Sequence, residues 1–122
     1  MSTHPVNLAV RLILEICALA AMAYWGWTQH AGWLGVALAI GLPLLAAIVW
    51  GTFAVPHDPS RSGKAPVITP GLVRLLIELA IFGTAIWMLY DAGATTLSVM
   101  MGVVTIAHYA ASYDRVLWLL KK

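Results

Sequence analysis

Val10-Arg11-Leu12-Ile13-Leu14-Glu15 recurs 63 residues later as Val73-Arg74-Leu75-Leu76-Ile77-Glu78, and each copy opens a long apolar segment. An Arg and a Glu four residues apart share one face of a helix. Two such pairs inside apolar segments mark two helices whose surroundings are lipid and whose charges meet inside a bundle. Sliding the chain on itself by 63 residues makes Val10, Arg11, Leu12 and Glu15 coincide with Val73, Arg74, Leu75 and Glu78, and sets Tyr24 on Trp87 and Trp50 on Tyr113. The agreement fades elsewhere, so the duplication rests mostly on the Arg-x-x-x-Glu core.

Composition agrees with a bilayer. Of the 122 residues 61% are hydrophobic and 10% charged, against about 25% charged in an ordinary soluble domain. A soluble domain of this size could not bury so much apolar surface. The formal net charge of +2 is too small, and its residues too scattered, for a nucleic-acid partner. Cys17 is the one cysteine, which excludes an internal disulfide and leaves the redox compartment open.

Outward from the first Arg-Glu pair, Val6 to Trp27 is apolar apart from Arg11 and Glu15, and at 1.5 Å per residue it covers about 33 Å, enough to cross a hydrocarbon core. A signal peptide is not expected: the start lacks Lys or Arg, Glu15 interrupts the apolar run, and the segment has an internal twin. Tyr24, Trp25, Trp27 and Trp33 around Gln29-His30-Ala31-Gly32 read as an aromatic belt flanking a tight turn. Gly32 to Val55 carries no charge and makes a second span; Gly35, Ala39, Pro43, Ala47 and Trp50 recur at helical spacing, a small-residue face for close helix packing with a kink at Pro43.

Pro56 to Pro70 holds four prolines with Asp58, Arg61 and Lys64 and reads as an aqueous loop. Gly63-Lys64 is not a phosphate loop, because the spacing is wrong and Ala65 stands where Ser or Thr belongs. Pro70-Gly71 opens the third span, Leu72 to Tyr90. Asp91-Ala92-Gly93 makes the second turn, and Ala94 to Leu120 the fourth span, with Arg115, Lys121 and Lys122 at its exit. The expected fold is therefore an all-α integral membrane domain over residues 1–122, with four transmembrane helices as two duplicated hairpins, residues 6–55 and 70–120, joined by a cytoplasmic loop 56–70. Because each hairpin crosses twice, the expected symmetry axis lies along the membrane normal. All seven basic residues gather at the end carrying both termini, so the positive-inside rule places both termini in the cytoplasm and the chain in the cell inner (plasma) membrane.

The Arg11-Leu12 to Glu15 opening, Tyr24-Trp25-Gly26, Gly41-Leu42-Pro43 and above all Trp50-Gly51-Thr52-Phe53-Ala54-Val55-Pro56 resemble the small bacterial YrdB-like membrane proteins. The resemblance covers nearly the whole chain. It implies a four-helix integral membrane domain and supplies no activity. Similar proteins carry an Asn-Arg pair in the last helix, where this chain has Asp114-Arg115.

Glu15 and Glu78 lie roughly 10 to 15 Å along their helices from the basic end, where an unpaired carboxylate is expensive, so each must be paired or protonated. Arg11 and Arg74 can close within their own helices or across to Glu78 and Glu15. A structural clamp is the first reading, proton or cation exchange by one Glu the second, and anion binding at the two Arg residues the third. In the fourth helix Thr105, His108, Ser112 and Arg115 share a face, with Asp114 directed elsewhere; such a polar stripe faces a bundle interior or a water-filled cavity. Trp50 and Tyr113, at matched positions near this stripe, complete the candidate cavity. His108 reads first as a hydrogen-bonded structural histidine. His4, His30, His57 and Cys17 lack metal-ligand spacing, and no nucleophile has a recognisable catalytic setting. No enzyme activity, metal or cofactor is expected. The expected partners are membrane lipid and a partner membrane protein or a second copy of the chain. The leading function is an accessory or structural membrane module; the alternative is a proton-coupled small-molecule transporter working as an oligomer.

Overall fold

The computed structural model describes residues 4–29, 32–56 and 65–122. His30 and Ala31 of the first turn, and Asp58, Arg61 and Lys64 of the loop, lie outside them. The described chain is all-α apart from one two-residue strand pair. Helix α1 is Pro5–Gln29, α2 Trp33–Thr52, α3 Gly71–Asp91, α4 Thr95–Ala111 and α5 Tyr113–Leu120. Helices α1, α2 and α3 are long and apolar enough to cross a membrane, and α4 is a shorter apolar helix.

The second turn follows from its glycine. Gly93 has φ 87°, the left-handed conformation that other residues adopt at a cost. Its N–H donates to Tyr90 O at 3.1 Å while Ala94 N–H donates to Leu89 O at 2.9 Å, which satisfies the last carbonyls of α3 in a Schellman arrangement. Nearby, Trp25 Nε1 donates to Asp91 Oδ2 at 2.9 Å and ties the end of α1 to the same turn.

The fourth segment is not the single helix expected over Ala94 to Leu120. Ser112, at φ −99° and ψ 26°, interrupts it, and the ladder restarts with Arg115 and Val116 N–H groups both donating to Ser112 O. No Pro or Gly marks the break; the Ser112 hydroxyl is instead held from outside, accepting from Asn7 Nδ2 at 2.6 Å. The buried seam nevertheless runs through it. Ser98, Met101, Thr105, His108, Ser112, Arg115 and Leu119 are all buried and alternate in steps of three and four, the spacing of one helix face against a neighbour.

At the other end of α2 the expected span to Val55 stops at Thr52, where the chain becomes extended. Phe53–Ala54 (β1) pairs in parallel with Val67–Ile68 (β2), Phe53 opposite Val67 and Ala54 opposite Ile68, and Thr69 N–H donates to Ala54 O at 2.9 Å. The ladder therefore joins the last residues of the expected second span to the end of the expected loop.

Helices α1, α3 and α4 share the main apolar core, built from Leu14, Ala18, Ala21, Met22, Phe82, Ala85, Met88, Leu89 and Met101. Helix α2 lies at its edge. Gly35 is its one buried residue among those described, and Val36, Ile40, Leu44, Leu45 and Ile48 are exposed. It meets α1 closely: a Cβ on Gly26 would sit 2.6 Å from the Leu38 carbonyl carbon and 2.8 Å from Ala39 N. Of the small-residue face, Ala39 thus belongs to a helix contact and Gly35 is buried, whereas Ala47 is exposed.

Candidate functional site

Both Arg-Glu pairs sit within the first three turns of their helices, and the fold treats them differently. Glu78 on α3 is fully buried and collects groups from three other helices. Arg74, four residues earlier on α3, donates from Nε to Oε2 at 2.8 Å. Arg115 of α5 donates through both terminal nitrogens, Nη1 to Oε1 at 2.8 Å and Nη2 to Oε2 at 2.6 Å. Tyr109 of α4 donates its hydroxyl to Oε1 at 2.7 Å. Arg11 of α1 brings Nη2 to 3.1 Å from Oε2, close enough for an ion pair but not oriented as a hydrogen bond. One carboxylate thus faces three guanidinium groups and a phenol, and the two-bond fork from Arg115 is the geometry in which guanidinium and carboxylate interact most strongly.

Trp50 of α2 backs the cluster. The Arg74 Cζ lies 4.5 Å and the Arg11 Cζ 5.1 Å from its ring centroid, both within cation–π range. Arg74 Nη1 also donates to Phe53 O at 2.7 Å and to Trp50 O, capping the carbonyls where α2 ends. Arg11 Nη1 and Arg74 Nη2 are buried and have no hydrogen-bond acceptor among the described residues; the indole face is what stands against these guanidinium groups in place of an acceptor. Phe82 joins Trp50 and Tyr109 through edge contacts of 5.4 and 6.1 Å.

Glu15 has a thinner environment. Arg11 Nε lies 3.5 Å from its Oε1, and the side chain remains 29% exposed. It lines a cleft of about 220 Å³ between α1, α2 and α3, beside Trp50 and Phe82.

The stripe on the fourth segment divides. Arg115 goes to Glu78, and Thr105 turns its hydroxyl back to Met101 O at 2.7 Å, so that residue is satisfied within its own helix. His108 Nδ1 is 3.0 Å from Asn7 Oδ1, and Asn7 links on to Ser112. With the amide in this orientation Nδ1 is the donor, and His108 Nε2 is buried without a partner among the described residues. Tyr113 and Asp114 do not line this interior: Tyr113 is 61% exposed and Asp114 is exposed. The physical reason is register, since 113 and 114 fall between the seam positions 112 and 115. Among the described residues no group of three or more His, Cys, Asp or Glu could hold a metal ion.

Two participants were not foreseen. Tyr109 reads in the sequence as one more interfacial aromatic, one residue off the face of Thr105, His108 and Ser112, although a buried Tyr hydroxyl needs a partner. Asn7 could have been found, because it lies four residues before Arg11 on the face that continues to Leu14 and Ala18.

Comparison with known proteins identifies a family. The family described as "Protein of unknown function (DUF2568)" matches residues 9–106. The "Uncharacterized protein YrdB" of Bacillus subtilis (strain 168) is 40% identical over 119 residues, covering 98% of this chain and 97% of that protein. No solved structure matches the chain. Matched over most of its length, including both Arg-Glu pairs, Trp50 and Thr105, the chain belongs to the DUF2568 family, the family of YrdB.

Proposed function

We propose that this protein is a non-catalytic accessory or structural module of the cell inner membrane, with four spans arranged as two duplicated hairpins and a charge cluster that locks the hairpins together. The observation that carries the reading is Glu78, whose single carboxylate gathers Arg11 of α1, Arg74 of α3, Tyr109 of α4 and Arg115 of α5. A group that is to exchange a proton or ligand needs an approach, and Glu78 is enclosed on all sides by its own donors. In this reading α4 and the start of α5 together complete the fourth crossing, since 17 residues alone reach only about 26 Å of a core about 30 Å thick. The exposed apolar face of α2 meets lipid and a partner membrane helix or a second copy.

The basic residues support cytoplasmic termini. In a Cys17→Ala background, a cysteine at Ser62 is expected to be shielded from an impermeant thiol reagent in intact cells, and one at Ala31 to be labelled. The reverse pattern would overturn the orientation.

Proton-coupled transport is the second reading, and the partly exposed Glu15 carboxylate in its cleft is what favours it. Purified protein in vesicles with an entrapped pH-sensitive dye separates the two. The accessory reading expects proton flux equal to that of protein-free vesicles, with or without added small cations. Flux that requires the protein and disappears in Glu15→Gln would put the transporter first.

A further inference from the structure

The two carboxylates of the duplicated core differ in what surrounds them, and the difference can be traced position by position. The inference rests on the duplicated-hairpin reading above. Sixty-three residues before Glu78, Phe82 and Tyr109 stand Glu15, Leu19 and Ala46, and all three line the cleft beside Glu15. Where the second half fills the space next to its carboxylate with the Tyr109 ring and donates a phenolic hydroxyl at 2.7 Å, the first half has the methyl group of Ala46 and open volume. The Arg115 counterpart is Thr52. The cleft is the place of a missing phenol.

We propose that this cleft binds a neutral phenolic hydroxyl carried by a lipophilic molecule, with Glu15 as the hydrogen-bond acceptor. The chemistry of the site selects the class. A partly exposed carboxylate whose one ion pair among the described residues is with Arg11 Nε at 3.5 Å retains acceptor capacity, and leaving it unmet is costly in apolar surroundings. An anion would meet the Glu15 charge directly. A cation would join a cluster in which Arg11, Arg74 and Arg115 already face two carboxylates. A neutral O–H donor incurs neither repulsion, which is what Tyr109 supplies at Glu78. The remaining walls suit an aromatic ring: Trp50 and Phe82 stand edge to face, 5.4 Å between centroids, and Ala18, Ala46 and Gly51 leave room. The space amounts to about 220 Å³.

The test uses p-cresol, a Tyr side chain in free form, with toluene as the same shape lacking the hydroxyl. On the wild-type protein in detergent, p-cresol is expected to raise the thermal unfolding midpoint saturably, and toluene to raise it less. Ala46→Tyr supplies the ring and hydroxyl from the chain itself and is expected to be at least as stable as Ala46→Phe and to lose the p-cresol response. Glu15→Gln is expected to weaken the response. Equal shifts with p-cresol and toluene, or a p-cresol shift that survives in Ala46→Tyr, would overturn the proposal, and the first comparison needs no variant to fold. A quinol with a short alkyl tail identifies the source of the hydroxyl: tighter binding than p-cresol points to a membrane-dissolved quinol, equal binding to a free phenol. Failure here leaves the Glu78 lock untouched, because that is measured without ligand.

Discussion

Glu78→Gln is expected to cost about 3 to 5 kcal/mol of stability, the range for breaking a buried ion pair by removing one partner. The amide cannot balance the positive charge of Arg11, Arg74 and Arg115, and its nitrogen would face guanidinium donors where an acceptor stood. Arg115 is affected whichever way the amide turns, because its two bonds go to different oxygens and one of them must be lost. Adding Arg115→Met to Glu78→Gln should recover part of the loss, since the removed guanidinium no longer needs a partner. Glu15→Gln should cost about 1 kcal/mol or less, because a single 3.5 Å contact on a partly exposed group belongs with weak ion pairs. Unfolding of the three variants in one detergent checks the ranking. Equal losses at Glu15 and Glu78 would mean that the lock is shared between the two carboxylates, contrary to the geometry.

That ranking could not have been derived from the recurring motif alone. Arg11-x-x-x-Glu15 and Arg74-x-x-x-Glu78 are the same motif, and the motif predicts two equivalent pairs, each closed within its helix or across to the other. The cross contact occurs once, from Arg11 to Glu78. What breaks the equivalence lies outside the motif, at Tyr109 and Arg115 against Ala46 and Thr52, and its effect depends on packing that periodicity does not encode. Long apolar segments and the Gly93 turn were legible because each is decided locally, by span length in one case and by backbone conformation in the other. The stripe Thr105, His108, Ser112 and Arg115 was legible as a buried face for the same reason. The break at Ser112 was not, because a serine there is compatible with helix and only its neighbour Asn7, more than a hundred residues away, gives the hydroxyl another partner. Short parallel pairing of Phe53–Ala54 with Val67–Ile68 was likewise hidden, since two residues carry no strand period.

Gly71→Ala is expected to act on the same lock from a distance. Gly71 is the first residue of α3, and a Cβ there would run into the carbonyl oxygen of Leu119 on α5. Both sides of that contact are backbone, so no rotamer change relieves it, and α5 must move away from α3. Leu119 and Arg115 are one turn apart on α5, so the displacement carries the Arg115 fork off Glu78. Overpacking of this kind costs about 1 to 3 kcal/mol, and losing hydrogen bonds to a charged partner adds about 1.5 to 3 kcal/mol. Gly83→Ala on the same helix is the control: nothing lies within 4 Å of its added methyl group, and replacing a mid-helix Gly should gain about 0.5 to 1 kcal/mol. The transmitted part is isolated by repeating Gly71→Ala in an Arg115→Met background, where the fork is already gone. There the cost should shrink to the overpacking share, a departure from additivity well above the roughly 0.5 kcal/mol seen for independent sites. If the cost is instead unchanged in that background, α5 yields at Leu119 without moving Arg115, and the tight approach at Gly71 is not what holds the guanidinium on Glu78.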